Sequence, residues 1–215
     1  MAIKAADVKK LRDATGAGMM DAKKALTEAD GDFDKAVDLL RVAGQAKAAK
    51  RSDREAANGL VVGAGNALVQ IGSETDFVAK NADFVATADK IAKAVDAAKA
   101  DSKDAAAQVQ LDDGKTVAQT LEDLAGTIGE KIELADAAYF EGNTHIYLHR
   151  RSQDLPPQVG VMVEYTGEDT EAVHGVCLQI AAMNPRWVNR DEVPADVIDH
   201  ERTVAADMAR EEGKP

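Results

Sequence analysis

Aromatic residues are scarce in this chain of 215 residues: they make up 4%, with one tryptophan, three tyrosines and four phenylalanines. Hydrophobic residues still reach 45%, so alanine and small aliphatic side chains carry the apolar content, which favours helix. Cysteine is nearly absent. Cys177 stands alone, which excludes a disulfide within the chain and fits a reducing compartment. No apolar run approaches the roughly 20 residues that a membrane-spanning helix needs. The first residues lack the apolar centre of a signal peptide. Cations are outnumbered: 26 Lys and Arg face 38 Asp and Glu, giving a net charge of -12. Such a chain repels phosphate backbones, which argues against direct nucleic-acid binding. The expectation is a soluble cytoplasmic protein of one or two domains.

Catalytic signatures are missing as well. Neither a phosphate-binding loop nor a dinucleotide-binding fingerprint occurs. Cys177 falls on an apolar helical face, where a core role outweighs a nucleophilic one. His145 and His149 share one face of an apparent strand but sit too far apart along it to chelate a metal. No cofactor, metal site or bond-making chemistry is expected.

What is present begins with three short helical patterns. Ala5 to Thr15 puts Val8 and Leu11 on one face, and Gly16-Ala17-Gly18 stops it. Met19 to Ala29 turns Met19, Ala22 and Leu26 inward. Asp32 can cap a third helix built on Phe33, Ala36, Val37 and Leu40, expected to end near Gly44. Met19 and Met20 are adjacent, so both cannot point inward; one reading fills the small core, the other makes a contact patch. Gln45 to Ala57 reads as a basic linker with Lys47, Lys50, Arg51 and Arg54.

The middle opens with a hairpin, Gly59–Gly63 and Ala67–Ile71 around Ala64-Gly65-Asn66. It runs into Glu74-Thr75-Asp76-Phe77-Val78-Ala79-Lys80-Asn81. Ser73 and Asp76 have capping-box spacing, and Asn81 offers a second helix start. Phe84, Ala88, Ile91 and Val95 then form an apolar stripe. Phe77 lies seven residues before Phe84, and spacing alone favours it as an extension of that stripe. Asp76 is harder to bury, and a carboxylate suits a helix N-terminus. Asp101 to Asp113 reads as a frayed helix end and loop; Lys115 to Ile128 resumes a helix weakened near Gly126 and Gly129, and Ile132 and Leu134 begin a strand.

The second half repeats the order of hairpin, acidic junction and helix. Thr144–Arg150 and Gln158–Tyr165 alternate, and a helix follows with Val173, Val176, Cys177 and Ile180. Asn184-Pro185 ends it, and Val197, Glu201, Val204 and Met208 space a final helix. The expected fold class is α+β and helix-rich: an N-terminal three-helix bundle, then a core of two related hairpin-plus-helix halves. The expected divisions are 1–44 for the bundle, 45–57 for the linker, and 58–140 and 141–215 for the halves of the core.

Two resemblances attach to these residues. The bundle is similar to ubiquitin-associated domains, which suggests a binding module joined to an interaction domain. More selectively, Leu11-Arg12-Asp13-Ala14-Thr15-Gly16-Ala17-Gly18-Met19-Met20-Asp21-Ala22-Lys23-Lys24-Ala25-Leu26 resembles the N-terminal signature of bacterial translation elongation factor Ts. Thr75-Asp76-Phe77-Val78-Ala79-Lys80-Asn81 resembles that family's most characteristic motif, and Ile128-Gly129-Glu130-Lys131 a further segment. Before the motif this chain has Gln70-Ile71-Gly72-Ser73 where family members often have Glu-Leu-Asn-Cys, and Gly72 is expected to loosen the approach.

The resemblance implies a guanine-nucleotide exchange factor whose partner is the GTPase elongation factor Tu, in a 1:1 or 2:2 complex, with no nucleic acid or membrane involved. It implies that Thr75, Asp76, Phe77 and Val78 reach the partner's Mg²⁺ region. Arg12, Met19, Met20 and Lys23 would grip its GTP-binding domain, with Ile128, Gly129 and His149 adding contacts elsewhere. Family members usually run on past a Gly-Lys-Pro with further helices and a strand, so the second half is expected to be incomplete at Pro215.

Overall fold

A computed structural model describes residues 3–214 of the chain. The fold is mixed α+β and rich in helix. Among the described residues, one buried apolar cluster fills an N-terminal bundle and a second lies beneath a β-sheet. The bundle consists of α1 (Ala5–Thr15), α2 (Met19–Glu28) and α3 (Phe33–Ala49). Val8 and Leu11 meet Ala22, Ala25, Leu26, Ala29 and Ala36. Gly16 ends α1 with φ 68°, and its N–H donates to the Arg12 carbonyl at 2.8 Å. Asp32 caps α3 as expected, accepting from the Lys35 N–H at 3.1 Å.

Met19 does not turn inward: it is 46% exposed, and Met20 is 75% exposed. Alanines explain the difference. Ala22, Ala25 and Leu26 already supply the buried face of α2, and Met19 extends past them as the helix's first residue.

The third helix also departs from expectation, passing through Gly44 to Ala49. Gly44 is buried against α7 (Val117–Ile128), where a Cβ on it would stand 3.1 Å from the Gly126 Cα. A Cβ on Gly126 would in turn lie 3.0 Å from the Gly44 carbonyl carbon. Each glycine sits inside a helix despite its low propensity because the two backbones meet there. Gly44 is therefore a crossing point, and only the residues after Ala49 leave the helix. Beyond the crossing, Ala48 packs against the second cluster, so one helix serves both cores.

The sheet is antiparallel in the order β1-β2-β3, with β1 Asn58–Ala64, β2 Ala67–Ser73 and β3 Ile132–Tyr139. Leu60 lies opposite Ile71 and Val62 opposite Val69. Between β2 and β3 the register shifts at Gln70/Ile71, leaving Ala135 as the extra residue of a bulge. The expected stripe holds in α5 (Ala82–Ala98), where Phe84, Ala88, Ile91, Ala92 and Val95 are all fully buried. Burying Phe84 contributes about 1.5–3 kcal/mol. Asp101 to Asp113 is more ordered than its composition suggests. Ser102 caps α6 (Lys103–Gln108), and Gln110 bridges Thr116.

The second half has the expected hairpin, β4 (Thr144–His149) paired with β5 (Val159–Glu164), followed by α8 (Thr170–Met183). Gly160 lets β5 lie close to the first hairpin, since a Cβ there would be 2.6 Å from Val61 Cγ1. The Val61 N–H donates to the Pro157 carbonyl at 2.8 Å. Cys177 is buried, but Val176, expected beside it, faces solvent because the covered face of α8 is narrow.

The chain divides into two compact units between Ala181 and Ala182. The C-terminal unit holds a 3-10 turn, Arg190–Glu192, and α9 (Ala195–Glu211), which has no buried residue. No helix among the described residues is long and apolar enough to cross a membrane.

The glycine crossing is open to test. Gly44→Val drives a branched side chain into the Gly126 backbone and should cost about 1–3 kcal/mol, read as a lower urea midpoint. An unchanged midpoint would mean that α3 and α7 part freely.

Candidate protein-contact site

Phe77 is 79% exposed, although helical spacing favours it as core. The chain breaks the spacing argument between Phe77 and Phe84. Asp76–Ala79 forms a separate one-turn helix, α4, and Asn81 caps α5 afresh by accepting from the Asp83 and Phe84 N–H groups. Two stripes on different axes need not coincide. The cap of α4 is Thr75, not Ser73 as the spacing suggested. Ser73 is buried, and its hydroxyl donates to the Thr75 carbonyl at 2.9 Å.

Val78 and Ala79 anchor the turn by burial, while Asp76 and Phe77 stand out of it. Asp76 pairs with Lys80 at 3.2 Å, and the Lys80 ammonium lies 6.0 Å from the Phe77 ring centroid. Gly72 does not loosen the approach. It is paired within the sheet, opposite Gly59 and Glu133, and a Cβ on it would lie 2.9 Å from the Ala56 carbonyl oxygen. The space for any larger side chain is taken by backbone.

Two carboxylates flank this turn. Glu130 accepts from the Thr75 N–H at 3.1 Å and from the Thr75 hydroxyl at 2.8 Å. Gly129, left-handed at φ 83°, ends α7 and turns the chain toward Glu130. Glu74 is only 11% exposed and accepts from the Lys131 N–H at 2.6 Å, from Arg51 at 3.0 Å and from Arg54 at 3.0 Å. The Lys131 N–H, then the two guanidinium groups, hold its carboxyl at about 2, against the opposing pull of burial. Arg51 and Arg54, expected in a basic linker, thus close an ion cluster. Sequence reasoning placed neither arginine nor Glu74 nor Glu130 in the site. Their separations of 23, 20 and 55 residues carry no periodic signal; only the adjacency of Glu74 to the motif hinted at it.

The structure brings some expected residues together. Ile128 and Gly129 line a groove of about 570 Å³, shared with Ala17, Gly18 and Asp21 at the α1–α2 corner. That corner carries Met19, Met20 and Lys23, while Arg12 on α1 is held by Asp13 at 2.6 Å. His149 is not part of this set. It is exposed at the end of β4, its Nδ1 2.9 Å from the Tyr147 hydroxyl. His145 Nε2 lies 3.1 Å from His174 Nδ1. Among the described residues no group of three or more His, Cys, Asp or Glu could hold a metal. Burial pushes the Cys177 thiol up, which suits a core residue.

An exposed aromatic beside a carboxylate, on a turn held from both sides, can insert into a macromolecular surface. These features make the Asp76–Phe77 turn a candidate protein-contact site. A family model described as Elongation factor TS matches residues 74–215, and the chain belongs to that family of translation elongation factors. Elongation factor Ts of Cutibacterium acnes is 77% identical over 215 residues, covering 100% of this chain and 80% of that protein. Elongation factor Ts of Mycolicibacterium vanbaalenii is 56% identical over 211 residues, 98% of this chain and 78% of that protein. The Saccharopolyspora erythraea protein of the same name is 54% identical over 211 residues, with the same coverage of 98% and 78%.

The depressed pKa of Glu74 makes a pH prediction. Its ionised form stabilises the fold fully above the ordinary value of 4.5, and that gain is lost as pH falls toward about 2. The stability advantage of the wild type over Glu74→Gln, from urea midpoints, should shrink between about pH 6 and about pH 3. A constant difference would rule out the ion cluster as its source.

Proposed function

We infer that the protein is a guanine-nucleotide exchange factor acting on elongation factor Tu during translation elongation. The observation that carries this reading is the exposed Phe77 beside Asp76, within a motif resembling the characteristic motif of the family to which the chain belongs. Exchange requires the factor to bind the nucleotide-free GTPase better than the GDP-bound one. Phe77 serves as an apolar wedge, and Asp76 holds displaced elements of the partner. Thr75 and Val78 complete the contact turn. Disturbing Mg²⁺ coordination removes a large local charge that holds the diphosphate, so GDP leaves faster. No covalent bond is made or broken in this scheme.

The remaining parts take supporting roles. The bundle of residues 1–44 grips the GTP-binding domain through Arg12, Met19, Met20 and Lys23, and the exposed methionines offer an adaptable apolar patch. Ile128 and Gly129 add contacts beside the groove, and His149 touches a separate part of the same partner. Residues 58–140 present the wedge, and residues 141–215 form the second half of the core. The site of action is the cytoplasm.

Release of a fluorescent GDP from elongation factor Tu tests this reading. Phe77→Ala should slow factor-stimulated release by about tenfold or more, as truncating a central aromatic anchor does. Because Phe77 is exposed, its removal should change fold stability by no more than about 0.5 kcal/mol. Asp76→Ala should act in the same direction. Release unchanged by the intact protein, or by both variants, would sink the reading.

A further inference from the structure

Glu74 and Glu130 hold the wedge-bearing turn from two directions, yet neither belongs to the contact residues proposed above. Two distant stretches, residues 51–58 and residues 130–131, converge on residues 74 and 75. Arg51 reaches both oxygens of the Glu74 carboxylate at 3.0 Å. Arg54 reaches one of them at 3.0 Å, and the Lys131 N–H donates to the other at 2.6 Å. The Asn58 side-chain amide donates to the Glu74 carbonyl at 2.8 Å. The Lys131 ammonium closes the ring by donating to the Arg54 carbonyl at 2.9 Å. Glu130 takes both the N–H and the hydroxyl of Thr75. Backbone rotation at these two residues therefore breaks several charge-assisted bonds at once.

The arginines have a second meaning through their place in the chain. They follow directly on α3, whose last residue is Ala49. That helix begins in the bundle, crosses α7 at Gly44 and packs Ala48 on the second core. A continuous helix thus runs from the bundle to the clasp around Glu74.

We propose that Arg51, Arg54, Glu74 and Glu130 are positioning residues for nucleotide exchange, locking the Phe77 turn to the N-terminal bundle so that docking of the bundle and insertion of the wedge are one rigid-body event. The proposal rests on the exchange reading above. A four-residue helix has no stability of its own, so the turn needs an external frame. With the frame intact, binding energy is not spent on ordering the wedge and goes instead to weakening the hold on GDP. With the frame broken, the bundle still docks, but the wedge arrives loosely held. The maximal rate then falls while the half-saturating concentration changes little.

Stopped-flow release of fluorescent GDP from elongation factor Tu, titrated with the full chain, separates these quantities. Glu74→Gln should lower the saturating rate about tenfold and move half-saturation by less than about threefold. Arg54→Gln, at the more exposed arm, keeps the fold and should lower the saturating rate by about threefold. Arg51→Lys should fall between Arg51→Ala and the wild type, since it keeps the charge on a shorter side chain without the planar guanidinium. Combining Glu74→Gln with Arg51→Ala should add little, because both break one contact. Amide hydrogen exchange at residues 75–79 should quicken in each variant. Saturating rates per folded molecule equal to wild type in Glu74→Gln and Arg54→Gln, with Phe77→Ala slow, would overturn the clasp and leave the exchange reading standing. A fully active Phe77→Ala would overturn both.

Discussion

Close approach of two helix backbones at Gly44 and Gly126 is the constraint on which the rest depends. A side chain at either position would push α3 from α7, since the nearest backbone atoms stand 3.0–3.1 Å from where a Cβ would go. Their contact makes α3 a member of two cores, through Ala36 on one side of the crossing and Ala48 on the other. One charge pair spans the same junction, Arg41 to Asp123 at 3.5 Å, and Lys115 holds that carboxylate from just before α7 at 2.6 Å. Lys47 ties α3 to Asp21 of α2 at 2.9 Å. These pairs are at least partly exposed and individually weak. The tight crossing sets the geometry, and the charges select among nearby arrangements.

From that junction the chain delivers Arg51 and Arg54 to Glu74, and α7 delivers Glu130 and Lys131 to the same place. The local result is a division of labour within four residues. Val78 and Ala79 bury themselves and hold α4 down. Asp76 and Phe77 face out, at a cost in exposed apolar surface that the fold itself does not recover. An aromatic left in water on so well-held a turn is consistent with a surface meant for another molecule. The second hairpin, β4 and β5, provides an internal contrast: a hairpin followed by a helix recurs there without an Asp-Phe pair.

Local patterns survived where one physical rule governed them. The α5 stripe was legible because Phe84, Ala88, Ile91 and Val95 share one helical face with nothing competing; the structure adds Ala92 to it. The first hairpin was legible from its short glycine-containing turn and the second from alternation along both strands, which are local properties. Gly44 was misread because a helix-ending glycine and a helix-crossing glycine look alike until the partner helix is known. Met19 was misread because three alanine and leucine positions filled the face it was expected to share. Phe77 was ambiguous for a related reason: a break of two residues at Lys80 and Asn81 separates α4 from α5 and cancels the periodicity that would have buried it.

The sequence by itself determined most of the helical and strand segments and the family, because short-range periodicity and long motif matches are written along the chain. Only the tertiary structure decided that Phe77 faces out, that Gly44 joins two helices, and that Arg51, Arg54, Glu74 and Glu130 frame one turn. The physical reason is range. Propensity, capping and amphipathicity act over one or two helical turns, whereas burial and ion pairing depend on segments that meet after folding and have no fixed separation in sequence.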